Sequence, residues 1–258
     1  QIPTGTDDAN FTDDVTLKSD SAVLGFGADT DITLTHAADT GLTLNGTFTS
    51  TGLASTTSGT SNFVAGVNAG NSIASGGNFN VCIGDEAGTA LTTGDQNTAV
   101  GFEALNSEDA DGLNTAVGYQ ALKALNAGGA GYNTAVGNLA GTAMTTGTTN
   151  TLVGSHAGDA ITEAADNVAI GAFALSAEDT RSGSVAIGRD ALLVQNAVGG
   201  NPYNVAIGYQ ALNDNTTGAQ NIGIGYQTLD ANTTGINNVA VGANALGNAT
   251  TADTNTAF

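Results

Sequence analysis

The sequence predicts an all-β fold, a parallel β-solenoid or β-roll built from coils of about 17 residues. Three observations predict it. A five-residue motif recurs, as in Asn167-Val168-Ala169-Ile170-Gly171 and Asn114-Thr115-Ala116-Val117-Gly118. Its closing glycines fall at Gly84, Gly101, Gly118, Gly137, Gly154, Gly171, Gly188, Gly208, Gly225 and Gly242; seven of the nine intervals are 17 residues and the others 19 and 20. Within each motif the β-branched residues stand two apart, the period of a strand, and Thr-Thr-Gly and related segments supply turns.

Taken in order, residues 1–50 read as a β-rich N-terminal attachment region. Val15-Thr16-Leu17, Ala22-Val23-Leu24, Ile32-Thr33-Leu34 and Leu42-Thr43-Leu44 are short runs parted by turn residues. Residues 51–61 are a Ser/Thr/Gly-rich link. Residues 62–258 are the repeat rod, opening with a worn copy, Asn62-Phe63-Val64-Ala65-Gly66. The two long intervals add their residues within 123–132 and 193–203, so those segments read as loops on a constant frame. The second half of each unit, such as Tyr119-Gln120-Ala121-Leu122, reads as a second short strand or extended leg, because a helix and its return need more than 17 residues. Asn255 starts a further coil that Phe258 leaves unfinished, which predicts that more chain, a cap or a partner covers that edge.

Stacked coils sit about 4.8 Å apart, so eleven make a rod on the order of 50 Å long. Asn97, Asn114, Asn133, Asn150, Asn167, Asn204, Asn221 and Asn238 then lie above one another as a hydrogen-bonding ladder, broken by Ser184. We expect Val and Ile to fill the coil, with the alternate row (Ala99, Ala116, Ala135, Ala169, Ala186, Ala206, Gly223, Ala240, and Leu152 as the exception) facing outward. So thin a rod buries little apolar surface, and a smooth alanine row invites another copy of the chain: a homo-oligomer of parallel rods.

Composition narrows the function. Twenty-four acidic residues against four basic ones give a net charge of −20. Lys18, Lys123, Arg181 and Arg189 cannot build a phosphate footprint, which argues against nucleic acid and against anionic membrane surfaces. No apolar run approaches the ~18 residues of a membrane span. Gln1 opens the sequence without an initiator Met or a charged-then-apolar leader. The lone Cys82 stands where sister copies have Ala and reads as a small buried residue, outside any disulfide framework or multi-cysteine metal site.

Chemistry within the frame is sparse. His36 and His156 are the near-neutral bases, and neither has a Ser-His-Asp spacing. Asp85 with Glu86, and Glu103, Glu108, Asp109 and Asp111, are the carboxylates that adjacent coils could pair as in glycoside cleavage; solvated turns explain them as well. "EDADG" (108–112) and "DDANFTDD" (7–14) carry a fragment of calcium-loop chemistry, and neither completes the twelve-residue pattern. Thr pairs at 92–93, 145–146, 216–217 and 233–234 are too few for a flat ice-binding array. The expectation is no catalytic site, no metal site and no cofactor, with calcium the alternative left open.

Ser184-Val185-Ala186-Ile187-Gly188 resembles the head-repeat motif of trimeric autotransporter adhesins, over about residues 62–258. That resemblance implies a β-roll wound as a homotrimer; the 17-residue period is longer than is usual there. "NTAVGYQAL" (114–122) with its Thr-Thr-Gly spacers is more similar to repeats of phage tail fibres, and residues 13–46 resemble a module of marine-phage structural proteins. Together these imply a non-enzymatic fibre or spike of a phage virion that contacts other virion proteins and a host cell-surface receptor or glycan. The alternatives are the head of a bacterial surface adhesin and, further off, a polysaccharide-degrading spike.

Overall fold

The computed structural model describes residues 57–258 apart from 111, 179 and 197–198. The expected N-terminal region 1–50 and residues 51–56 of the link lie outside the described residues. Every described element is a short strand: β1 (Phe63–Ala65), β2 (Val81–Ile83), β3 (Thr98–Val100), β4 (Thr115–Val117), β5 (Thr134–Val136), β6 (Thr151–Val153), β7 (Val168–Ile170), β8 (Val185–Ile187), β9 (Val205–Ile207), β10 (Ile222–Ile224), β11 (Val239–Val241) and β12 (Thr256–Ala257). They form one parallel sheet in sequence order, each strand paired with the next, which is a β-solenoid of about eleven coils. The register keeps like residues opposite one another: Ala116 pairs with Ala99 on one side and Ala135 on the other. Residues 57–61 already bond to the rod, with the Ser58 amide donating to Ile73 O and the Phe79 amide to Thr60 O.

The second leg is not a strand. After Gly118 the chain runs Tyr119-Gln120-Ala121-Leu122 with positive φ at Gly118 (137°), Gln120 (53°) and Leu122 (50°) and none at the residues between. Alternating backbone handedness turns the chain tightly and excludes both a helix and a flat strand. Its amides still bond to the neighbouring coils: Gln120 N donates to Phe102 O (2.9 Å) and Leu122 N to Ala140 O (3.0 Å). A left-handed leucine costs about 1–2 kcal/mol. Burying its side chain returns about 1.5–3 kcal/mol, so burial wins.

The faces of the strand are the reverse of the expectation from sequence. Ala99, Ala116, Ala135, Ala169, Ala186, Ala206 and Ala240 are fully buried inside the coil, and the Thr, Val and Ile on either side of them point outward. The physical reason is width. Asn, Ala and Gly of each motif share the inner face, and the opposite wall brings an alanine and often a leucine of its own, such as Ala121 and Leu122. A Val and Ile pair would overfill that space.

Each coil then conserves volume among three rows: the middle strand residue and the fourth and seventh residues after the closing glycine. Where the fourth is leucine, the strand carries Ala or Gly, and the seventh is Leu125 once and otherwise alanine or polar, as in Ala206-Leu212-Asn215. Where it is glycine, the seventh is large and apolar and folds over it, as in Cys82-Gly88-Leu91 and Leu152-Gly158-Ile161. A Cβ on Gly158 would lie 2.8 Å from both Ile161 Cδ1 and Leu152 Cδ2, which explains how Leu152 fits among alanines.

This trade is testable in the Ala116-Leu122-Leu125 coil. Leu122→Gly alone is expected to cost about 2–5 kcal/mol as a cavity. Ala116→Leu alone is expected to cost about 1–3 kcal/mol by overpacking. The double variant, which reproduces the Leu152-Gly158-Ile161 arrangement, should recover at least about 1 kcal/mol of the sum in a denaturation cycle. Strict additivity would refute the volume trade.

Candidate functional site

The repeat glycines and asparagines are frame residues. The glycines stack backbone to backbone: Gly171 has φ 131°, and a Cβ there would stand 2.6 Å from the carbonyl of Gly188. The same contact runs from Gly84, Gly101, Gly118, Gly137, Gly154, Gly188, Gly208 and Gly225 to the closing glycine of the next coil, while Gly242 meets Phe258 instead.

The asparagines are buried and act as an amide zipper. Asn97 Oδ1 accepts from the Asn114 backbone N–H at 3.0 Å, and this contact repeats from Asn133 to Asn150, Asn150 to Asn167, Asn204 to Asn221 and Asn221 to Asn238. The Nδ2 groups of Asn133, Asn150, Asn167, Asn204, Asn221 and Asn238 bond a carbonyl fourteen residues on, as Asn221 does with Gly235 O at 2.8 Å, while Asn114 Nδ2 bonds Gly112 O. At the break, Ser184 N still donates to Asn167 Oδ1 (2.9 Å), and the missing amide is supplied from another row. Gln195 Nε2 donates to Ser184 Oγ (3.0 Å) and Glu178 Oε2 (3.0 Å), and Gln195 Oε1 accepts from Asn204 Nδ2 (2.6 Å). Sequence reasoning missed this repair. Its signal was the long amide of Gln195, eleven residues after the serine, in a row that other coils fill with apolar residues, glutamate, asparagine or alanine.

The candidate chemical groups do not converge. His36 lies outside the described residues. His156 Nδ1 bonds Asp159 Oδ2 at 2.8 Å, and Asp159 Oδ1 accepts from Ser176 Oγ at 2.5 Å. The carboxylate therefore sits between hydroxyl and imidazole, whereas activating a serine requires the imidazole at the hydroxyl. Glu108 is buried inside its coil, away from the solvated turn expected for it, and Asp111 lies outside the described residues. Glu103 is bonded by Lys123 Nζ (2.6 Å) and Gln120 Nε2 (2.6 Å), which hold its carboxyl below the usual carboxylate range. Burial pushes the Cys82 thiol up to about 11, so it stays protonated and unreactive at neutral pH. Among the described residues no cluster of three or more His, Cys, Asp or Glu is placed to hold a metal, and no helix is long and apolar enough to cross a membrane.

Two surfaces remain. The first is the outer face of the sheet. From β2 to β12 every residue on it is Thr, Val or Ile. One column runs Val81, Thr98, Thr115, Thr134 and Thr151 and then turns to Val168, Val185, Val205, Ile222 and Val239. Ile170 and Ile224 are 37% exposed although strands flank them on both sides. The second surface is the corner just after the closing glycines, where Phe102 stacks on Tyr119 and Tyr209 on Tyr226.

No protein-family model, curated protein or solved structure matches the chain.

Two substitutions test the frame. Gly171→Ala should cost well above the ~1 kcal/mol of an ordinary glycine effect. Asn221→Ala should strand the Asn238 N–H, at about 1–3 kcal/mol, and leave the Gly235 carbonyl only the longer of its two amide donors, Asn232 Nδ2 at 3.3 Å. Parental melting temperatures would show that neither row supports the coil. Lys123→Met should return Glu103 toward the ordinary carboxylate range in a side-chain NMR titration. The folded-state carboxyl is depressed, so the pair's stabilisation is present above the ordinary carboxylate pKa and is lost as pH falls through the lowered value.

Proposed function

We propose that the chain is the non-enzymatic rod of a trimeric fibre or spike, presented by a phage virion and touching a host cell surface. The observation that carries this reading is the uncharged outer sheet face. A solvated β-face in a protein with 24 acidic residues would carry charge, yet none of those residues stands there. Flat columns of β-branched side chains with no charge suit burial against the same face of parallel copies, because like columns meet without a desolvated ion. On this reading the contact between copies lies on the Val and Ile face and not on the alanine row, which is buried inside the coil.

Three copies, rather than two, follow from the resemblance to adhesin head repeats, and the virion setting from the resemblance of residues 13–46 and 114–122 to phage structural proteins. A frame of constant coils with variable corners supports a binding role, since surface variation costs the rod little.

Solution mass by light scattering should return three chains. Ile170→Glu, Ile187→Glu and Ile207→Glu together should give dissociated or unfolded chains, since three desolvated carboxylates per chain would face one another. Ala169→Glu alone should unfold its coil from within. A stable, folded monomer of the unmodified chain would overturn the trimer.

A further inference from the structure

We infer that the corner after the closing glycines carries two binding platforms for a neutral glycan, one at Phe102 and Tyr119 and one at Tyr209 and Tyr226. The inference rests on the surface-attachment reading above and names its ligand. Two columns run side by side along this corner, at the first and second residues after each closing glycine. In the first, the Phe102 and Tyr119 rings are 5.5 Å apart and 16° from parallel, and Tyr209 and Tyr226 are 5.5 Å apart and 11° from parallel. Tyr119 and Tyr226 are 47% and 51% exposed. In the second column Gln120 Nε2 donates to Glu103 Oε2 (2.6 Å), and Gln227 Nε2 donates to Gln210 Oε1 (2.9 Å).

Each platform thus sets two exposed rings beside two planar polar groups, and both are built on backbone bonded from coil to coil. Gln120 N donates to Phe102 O and Gln227 N to Tyr209 O, both at 2.9 Å. Stacking alone follows from coil register. A ladder serving only stiffness would continue in one column, but between the two pairs this column holds Asn138, Ser155, Ala172 and Arg189, and the stacked pair of those coils, His156 on Phe173, lies in the second column. After Tyr226 it drops to Ala243, leaving a step beside the ring.

A pyranose matches this pattern. Its C–H face carries slight positive charge against the negative face of an aromatic ring, and its rim of hydroxyls suits in-plane amide and carboxylate groups. Each nearby cation is already neutralised: Lys123 by Glu103 at 2.6 Å, and Arg189, which lies over the Tyr209 ring, by Asp190 at 3.3 Å. With a net charge of −20 the chain repels polyanions, so the ligand is a neutral sugar chain.

The test titrates the full chain with maltohexaose, cellohexaose, mannohexaose and chitohexaose, and with a hyaluronan hexasaccharide as the anionic control. Calorimetry is read together with tyrosine emission, which is unobscured because the chain has no Trp. At least one neutral hexasaccharide should bind saturably and more tightly than the hyaluronan. Tyr209→Ala with Tyr226→Ala should weaken the second platform, and Phe102→Ala with Tyr119→Ala the first, by about tenfold each. Gln227→Ala should also weaken binding, and Tyr226→Phe should retain it. No binding by the neutral set, or binding that the aromatic variants keep unchanged, overturns the platforms. Solution mass separates the two readings. A monomer that binds sugar refutes the trimer and keeps the platforms, and a trimer that binds none does the reverse.

Discussion

Everything in this rod depends on the hydrogen-bonded pitch between successive coils. Parallel backbone at about 4.8 Å forces each residue to sit over its counterpart one repeat away. A side chain must therefore be compatible with itself. Glycine stacks on glycine where two backbones nearly touch, asparagine on asparagine where an amide can bridge, alanine on alanine where the coil is narrow. The 17-residue repeat is the sequence record of that self-compatibility.

The same pitch makes the interior a volume constraint. No coil can borrow room from a distant layer, because its neighbours above and below are nearly identical. Compensation happens within a coil or with the next one, as when Gly158 and Gly141 clear space for Leu152. Gly223 with Thr228 is a second case. Glycine replaces alanine in the strand where threonine replaces it on the opposite wall, and the hydroxyl bonds Gly242 O at 2.9 Å. Buried polarity obeys the same locality: when Ser184 interrupts the amide zipper, Gln195, eleven residues on in the same coil, restores the connection.

Outside the coil the constraint relaxes, and function can vary there. The sheet face remains uniform and uncharged, as the proposed contact between copies requires. The corner columns change from coil to coil, from Phe102 and Tyr119 through Ser155 to Arg189, Tyr209 and Tyr226, without altering the backbone beneath. The insertions at 123–132 and 193–203 vary most, and the glycines at their tips, Gly128, Gly129, Gly199 and Gly200, have open space around them.

The sequence by itself determined the repeat, its register, the parallel β class and the rows that would stack, because a fixed pitch converts spacing directly into adjacency. It did not determine which face of a three-residue strand is inside. Alternation in Thr115-Ala116-Val117 offers two choices, and hydrophobicity favoured the wrong one. The deciding clue was that Asn114, whose amide must be buried to bridge coils, shares a face with Ala116 and not with Val117. Tertiary structure alone settled this, since the interior width depends on what the opposite leg brings. That leg, Tyr119 to Leu122, reads as extended from the sequence, yet it turns through alternating left-handed residues that burial and coil-to-coil hydrogen bonds sustain. The paired rings of the corner were equally hidden, because Phe102 and Tyr119 become neighbours only once the coil has closed.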